Sequence, residues 1–114
     1  MKEIKATIQP HMLDRVLWAL RALPHFTGVT VLDTIGHGRG RGKDHAYEAS
    51  PTESLFTHKH KRIEIVCSDE LAPSIAEAIR KAAHTGHHGD GIVTIADLER
   101  VVRIRSGEEQ EQAV

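Results

Sequence analysis

The stretch HTGHHGDG, residues 84–91, concentrates chemically capable residues in one short segment of three histidines, three glycines and an aspartate. Imidazoles could ligate zinc or copper there, whereas glycines would let backbone N–H groups close around a phosphate. The glycines predict that the preceding helix ends near His84, so the histidines do not share a helical face. We interpret this segment, called the glycine loop below, as a phosphate-binding loop. An ordinary turn after a glycine-capped helix is the alternative.

Arg103 and Arg105 are the cations best suited to hold such a phosphate. The run RVVRIR has the alternation of a strand, on which residues two apart project to the same side. The spacing therefore predicts two guanidinium groups side by side, with Val102 and Ile104 on the opposite face. Paired guanidinium groups bind phosphate bidentately, and the alternative is a charged strand edge that discourages aggregation.

A second glycine-rich run, GHGRGRGK at residues 36–43, resembles a nucleotide-binding loop only superficially. Its glycines alternate, whereas the dinucleotide fingerprint needs a third glycine three positions after the second. As a Walker loop it also fails, because Asp44 follows Lys43 where Ser or Thr should bind magnesium. Arginine and glycine in alternation could contact RNA, but Tyr47 is the only aromatic residue nearby, so we expect no nucleic-acid partner.

The run belongs to a long loop, about residues 37–60, that shows no hydrophobic periodicity. Loops of this length in a small domain usually carry function. Four histidines lie in it, and His58 and His60 could present two imidazoles on one side of a strand. A metal site at His58 and His60 is therefore a second hypothesis, with a solvated loop that is sensitive to pH near neutrality as its alternative.

Periodicity in the rest of the chain predicts the elements that position these segments. Alternation with period two predicts four strands, and apolar residues at helical spacing predict two helices, the second capped by Ser68 or Asp69 with Pro73 in or near its first turn. The strands are EIKATIQP (3–10), GVTVLDTIG (28–36), RIEIVCS (62–68) and IVTIADL (92–98), and the helices are 13–23 and about 69–84.

This order, βαββαβ, predicts an α+β fold, a ferredoxin-like sandwich with both helices on one face of an antiparallel sheet. The other face keeps partly apolar residues, so we expect copies of the chain to cover it. We place a single domain at residues 1–107. The acidic segment 108–114, called the C-terminal tail below, is expected to be disordered.

Composition limits the classes of protein. The formal net charge of -1 over 114 residues gives no overall attraction to nucleic acid or anionic membranes. Cys67 is the only cysteine, so no internal disulfide forms, and its apolar surroundings indicate a buried thiol. No apolar run approaches the roughly 20 residues that span a bilayer. We expect a cytoplasmic protein that a partner recruits to the membrane.

The glycine loop followed by ERVVRIRSGE (99–108), together with the opening IKATIQPHMLDRVLWAL (4–20), resembles the PII nitrogen-regulatory signalling family over essentially the whole chain. The family signature is TG, two residues, GDG, and then a strand with RVVRIRTGE. The resemblance implies a homotrimer that binds nucleotide in clefts between subunits and regulates a target protein through a projecting T-loop. The long loop corresponds to that T-loop, and the glycine loop to the family's B-loop.

The resemblance also assigns site residues. Four residues at the base of the long loop lie where the family holds nucleotide, five residues match its B-loop, and two match its phosphate-contacting arginines. They are Gly36, His37, Gly38 and Arg39; Thr85, Gly86, Gly89, Asp90 and Gly91; and Arg103 and Arg105.

Three departures from the family pattern change the expected ligand. Ile92 stands where the family has a phosphate-binding lysine, and Gly40 replaces the glutamine that helps to hold magnesium and 2-oxoglutarate. The tyrosine that is uridylylated in other members has no match, because its place falls near Thr52 and Tyr47 lies too early. With fewer cations, we expect ADP or AMP to be favoured over Mg-ATP.

The expected function is therefore a PII-like signalling protein that responds to adenine nucleotide and regulates a partner, most simply a membrane transporter. The alternative is a metal-binding or metal-responsive trimer that uses the long-loop histidines and is linked to heavy-metal efflux. No carboxylate pair or Ser-His-Asp arrangement suggests catalysis, so we expect no enzyme activity.

Overall fold

Two strand-helix-strand units follow one another along the chain, as the periodicity predicts. The computed structural model describes residues 1–37 and 58–114. The first unit consists of β1 (Lys2–Ile8), α1 (Leu13–Arg21) and β2 (Thr30–Gly36). The second consists of β3 (His58–Cys67), α2 (Ala72–Ala83) and β4 (Gly91–Asp97). Single 3-10 turns lie at Pro10–Met12 and at Gln110–Ala113.

The four strands form one antiparallel sheet in the order β2-β3-β1-β4. This is the ferredoxin-like arrangement, and it confirms the fold class. Ile4 of β1 lies opposite Ile65 of β3 and Ile95 of β4, so the alternating apolar residues of the central strands come into line. Shifting the strand pairing by one residue would turn all of these apolar side chains to the other face of the sheet. The alternation therefore specifies the register.

Both helices pack on the sheet face that carries these isoleucines. Each helix contributes one apolar stripe, as its spacing predicts. Pro73 lies in the first turn of α2, as expected, but the N-cap residue is Leu71 rather than Ser68 or Asp69. Asp69 binds the ammonium group of Met1 instead, at 2.9 Å. The most completely buried side chains are Ile4, Ile8, Val16, Leu20, Ile63, Ile65, Cys67, Ile75 and Ile79.

Cys67 lies within this core, as its apolar surroundings predict. Burial raises the pKa of its thiol, and nearby Asp69 adds to the effect. The thiolate, which is the reactive form, is therefore disfavoured.

The opposite sheet face exposes a row of four residues, one from each strand. Leu32 pairs with Arg62, Arg62 with Thr7, and Thr7 with Ile92. Leu32 is 40% exposed and Ile92 is 67% exposed in the single chain. Further copies of the chain would cover exposed apolar side chains such as these.

The C-terminal tail is ordered, which corrects the prediction of disorder from Glu108. Glu109 forms a β-bridge with Val102, its carboxylate pairs with Arg100, and the Gln110 N–H donates to the Val101 carbonyl at 2.9 Å. The acidic composition suggested a solvated tail, but the arginines just before it supply oppositely charged partners.

Candidate functional site

The glycine loop begins where α2 ends. His84 is the C-cap of α2 and is already extended, at φ -70° and ψ 125°. Beyond it the chain turns through left-handed conformations at Gly86, Gly89 and Gly91, with φ of 89°, 91° and 104°. These values favour glycine, because a Cβ atom would be strained there. The predicted end of the helix near His84 is confirmed.

Asp90 organises this loop from within. Its carboxylate accepts hydrogen bonds from the backbone N–H of Thr85 at 2.8 Å, from that of Gly86 at 3.0 Å, and from the Thr85 hydroxyl. The Thr85 hydroxyl oxygen in turn accepts from the His87 N–H at 3.2 Å. The N–H groups in the first half of the loop are therefore hydrogen-bonded within the loop itself. Asp90 holds this half of the loop in its conformation.

These contacts control the ionisation of Asp90. Burial alone would raise the pKa of this carboxyl group, but the hydrogen bonds from Thr85 and Gly86, helped by the charge of His84, hold it below its ordinary value of 3.8. The His84 Nδ1 atom lies 3.8 Å from the carboxylate. Asp90 is therefore ionised in the folded protein at neutral pH.

Replacing Asp90 by asparagine should lower the free energy of unfolding in a way that depends on pH. A carboxyl group whose pKa is depressed by folding stabilises the protein above its unfolded-state pKa, and that stabilisation is lost as the pH falls through the folded-state pKa. The gap between wild type and Asp90→Asn, measured by urea unfolding, should be present at pH 7 and still present at about pH 5. It should then shrink below pH 3.8. Asp14→Asn, on the exposed side of α1, controls for the charge change; a gap that does not narrow in acid would contradict the account.

Gln9 anchors the second half of the loop, and nothing in the sequence pattern pointed to it. Its side-chain amide donates to the Gly89 carbonyl at 2.5 Å across 80 residues of sequence. Gly91 follows, with its α-carbon close to the Thr7 carbonyl of β1. The loop is therefore fixed to the end of β1 at two points.

The base of the long loop lies at the same end of the sheet as the glycine loop. Gly36, the last residue of β2, pairs with His58, and Ile8 pairs with both Lys61 and Gly91. His37 directly follows Gly36 and is exposed. Gly38 and Arg39 lie outside the described residues. Of the predicted site residues, the structure thus places Gly36 and His37 at the end of the sheet that carries the glycine loop, but on the opposite outer strand.

Arg103 and Arg105 do not project side by side from a strand, which corrects that prediction. The Arg103 N–H donates to the Glu108 carbonyl at 2.8 Å, and the Gly107 N–H donates to the Arg103 carbonyl at 2.8 Å. The chain therefore reverses between Arg103 and Glu108, with Gly107 at φ 76°. Arg105 lies exposed in the turn, and only Arg103 is partly buried.

Arg103 borders a cavity of about 460 Å³ at the opposite end of the sheet from the glycine loop. Glu3, another residue of its wall, pairs with Ala96, five residues along β4 from Gly91, which is about 16 Å in an extended strand. Apart from Arg103, no motif pointed to this cavity. Its lining is Glu3, Thr27, Gly28, Val29, Thr30, Glu64, Val66, Arg103, Ala113 and Val114.

His58 and His60 begin β3, so they belong to the strand rather than to the long loop, whose predicted end at residue 60 moves to 57. Their rings lie on the same side of β3, with centroids 6.0 Å apart. The predicted placement is therefore confirmed. In residues 1–37 and 58–114, no group of three or more His, Cys, Asp or Glu residues is arranged to hold a metal ion.

The sheet order and the two helices packed on one face define a ferredoxin-like α+β domain. Comparison over the whole chain identifies its family. The family model for nitrogen regulatory protein P-II matches residues 1–108. The chain belongs to this family, whose members are signalling proteins that bind adenine nucleotides, form homotrimers and regulate partner proteins.

Individual relatives are similar over the same length. The nitrogen regulatory protein P-II of Rhizobium meliloti (strain 1021) is 42% identical over 108 residues, 95% of each chain. That of Pasteurella multocida (strain Pm70) is 42% identical over 114 residues, and nitrogen regulatory protein P-II 1 of Escherichia coli (strain K12) is 40% identical over 114, in both cases 100% of each chain. Within the described residues, no helix is both long and apolar enough to cross a membrane.

Proposed function

We propose that this protein is an adenine-nucleotide sensor that favours ADP or AMP over Mg-ATP and regulates a partner, a membrane transporter, through its long loop. The observation that carries the proposal is the placement of its two phosphate-binding candidates. The glycine loop and the cavity that Arg103 borders lie at opposite ends of one sheet: Gly91 and Ala96, the partner of the cavity residue Glu3, are about 16 Å apart along β4. The phosphates of one nucleotide would not reach both within a single chain.

Assembly resolves this separation. In a homotrimer, the glycine loop of one subunit can face Arg103 and Arg105 of its neighbour, so that one nucleotide lies between two chains. The exposed row from Leu32 to Ile92 supplies apolar surface for such an assembly. On this proposal the cavity beside Arg103, at about 460 Å³, has the size of an ordinary small-molecule site and accepts part of the nucleotide.

The glycine loop would hold phosphate through its second half. The N–H groups of Thr85, Gly86 and His87 are already used within the loop. Phosphate oxygens would therefore bind near Gly89 and Gly91, where the bond from Gln9 and the close approach to β1 keep the backbone in place. A preformed backbone site of this kind binds an anion with little reorganisation.

Ile92 explains the proposed preference for fewer phosphates. It directly follows the glycine loop, is 67% exposed, and stands where the resemblance places a lysine. Without that cation, the charge of a third phosphate is less well neutralised.

Replacing Ile92 by lysine should raise the affinity for ATP about ten-fold, because a charge-assisted hydrogen bond contributes roughly 1.5 to 3 kcal/mol. The affinity for ADP should change less. Calorimetric titration of wild type and Ile92→Lys with both nucleotides measures this, and Ile92→Met is the uncharged control. Equal gains for ATP and ADP would contradict the preference, and a wild-type protein that binds no adenine nucleotide would overturn the proposed function.

The second candidate function is a metal-responsive regulator linked to heavy-metal efflux. The placement of His58 and His60 on one side of β3, with ring centroids 6.0 Å apart, favours it. Neutral imidazoles at this spacing can share one zinc or copper ion when a further ligand completes the site. Zinc titration of the nucleotide-free protein, with and without replacement of His58 and His60 by alanine, separates the two candidates.

A further inference from the structure

The C-terminal tail lines the cavity that Arg103 borders. Ala113 and Val114 form part of its wall, beside Glu3 and Glu64. The Arg103 Nε–H donates to the Ala113 carbonyl at 3.1 Å, and a terminal nitrogen of the same guanidinium lies 3.9 Å from the Glu108 carboxylate. The group proposed to bind phosphate is therefore already engaged by the tail.

Two further contacts hold the tail in this position. The Arg100 guanidinium pairs with the Glu109 carboxylate, and the Gln110 N–H donates to the Val101 carbonyl at 2.9 Å. Gln110 has a positive φ of 56°, which is uncommon for a residue other than glycine. That conformation turns the chain into the short 3-10 helix Gln110–Ala113, which leads back to Arg103.

From this geometry, and resting on the proposed function, we infer that the C-terminal tail is an autoinhibitory lid over the cavity beside Arg103. Nucleotide must displace the Ala113 carbonyl before its phosphates accept the Arg103 Nε–H. Phosphate can replace the Ala113 carbonyl as the hydrogen-bond partner of Arg103. The carbonyl is a neutral acceptor, whereas phosphate forms the stronger charge-assisted bond. A closed lid lowers the apparent affinity by the fraction of molecules in which the site is open.

Removing the lid should therefore tighten nucleotide binding. We expect a chain that ends at residue 109 to bind ADP about five-fold more tightly than the full chain, the change produced by one net hydrogen bond. Deletion also removes the negative charge of Glu111, which alone would favour an anionic ligand. A matched pair of substitutions separates the two effects.

Glu109→Gln and Glu111→Gln remove the same charge from the same tail. Only Glu109 forms the ion pair with Arg100, whereas Glu111 lies exposed in the 3-10 helix. A lid predicts that Glu109→Gln tightens ADP binding and that Glu111→Gln has a clearly smaller effect. Equal effects would show that charge alone matters and would overturn the lid.

Amide hydrogen exchange in residues 110–114 of the full-length protein supplies the second readout. A displaced lid exchanges faster when ADP is added. Slower exchange with ADP, together with weaker binding by the shortened chain, would show that the tail is part of the nucleotide site and would overturn the inference while leaving the proposed function intact. If neither the full nor the shortened chain binds ADP, both the inference and the proposed function fail.

Discussion

Gly91→Ala is expected to destabilise the protein more than any other single substitution in the glycine loop. A Cβ atom at residue 91 would lie 1.7 Å from the Thr7 carbonyl oxygen and 2.8 Å from its carbon, both of them backbone atoms. Those atoms cannot move aside without separating β1 from β4. Gly91 also has φ of 104°, which strains any side chain. Together the clash and the strain should lower the free energy of unfolding by at least about 3 kcal/mol.

Gly107→Ala is the matched control for this substitution. Gly107 also has a positive φ, 76°, but a Cβ atom there would meet nothing within 4 Å. Its substitution should therefore cost only the backbone strain, about 1 kcal/mol. Urea unfolding of both variants at one protein concentration compares them, because the stability of an oligomer depends on concentration. Similar losses for the two variants would show that Gly91 does not lie against Thr7.

Replacing Arg103 and Arg105 together by alanine is expected to weaken ADP binding at least about 100-fold, because each charge-assisted hydrogen bond contributes roughly 1.5 to 3 kcal/mol. Arg103 lies partly buried in the cavity wall and Arg105 lies exposed in the adjacent turn. The loss should come mainly from affinity rather than from folding, because neither side chain belongs to the buried core.

The double variant Arg15→Ala with Arg21→Ala controls for the change in net charge. Both residues lie on the exposed surface of α1, which packs on the other side of the sheet from the Leu32 to Ile92 row. This control should retain affinity for ADP within about two-fold, the small effect expected of screened surface charges. Unchanged ADP binding by the Arg103 and Arg105 variant, with the assembly intact by sedimentation, would remove these residues from the site.

The elements of the fold could be predicted from the sequence because each depends on local periodicity. Ile4, Ala6 and Ile8 alternate with polar residues, and that pattern alone specifies which face of β1 is buried. The glycine loop was predictable for the same reason. The end of α2 near His84 depends on the left-handed conformation of Gly86, which lies only two residues away.

What could not be predicted depends on contacts between distant residues or on a turn that interrupts a pattern. Alternation in RVVRIR suggested a strand through Arg105, but Ser106 and Gly107 reverse the chain there. The amide of Gln9 reaches Gly89 across 80 residues, and no local pattern reports such a contact. The order of the tail likewise depends on Arg100 as a partner for Glu109, which composition alone does not reveal.

Asp90 shows how a residue of the predicted site can act within its own loop. The sequence assigns it to the predicted phosphate-binding loop, yet its carboxylate faces the Thr85 and Gly86 amides inside the loop. The carboxylate therefore shapes the glycine loop. The hydrogen bonds that the carboxylate accepts offset its negative charge.

Titration calorimetry of the metal-free, full-length protein with ADP, repeated with AMP and with ATP in the presence and absence of magnesium, tests the central claim most directly. The account predicts saturable binding of ADP or AMP at one site per subunit, with little help from magnesium and no gain for ATP. Absence of heat with every nucleotide, from protein shown to be folded and assembled, would contradict the account and direct attention to His58 and His60.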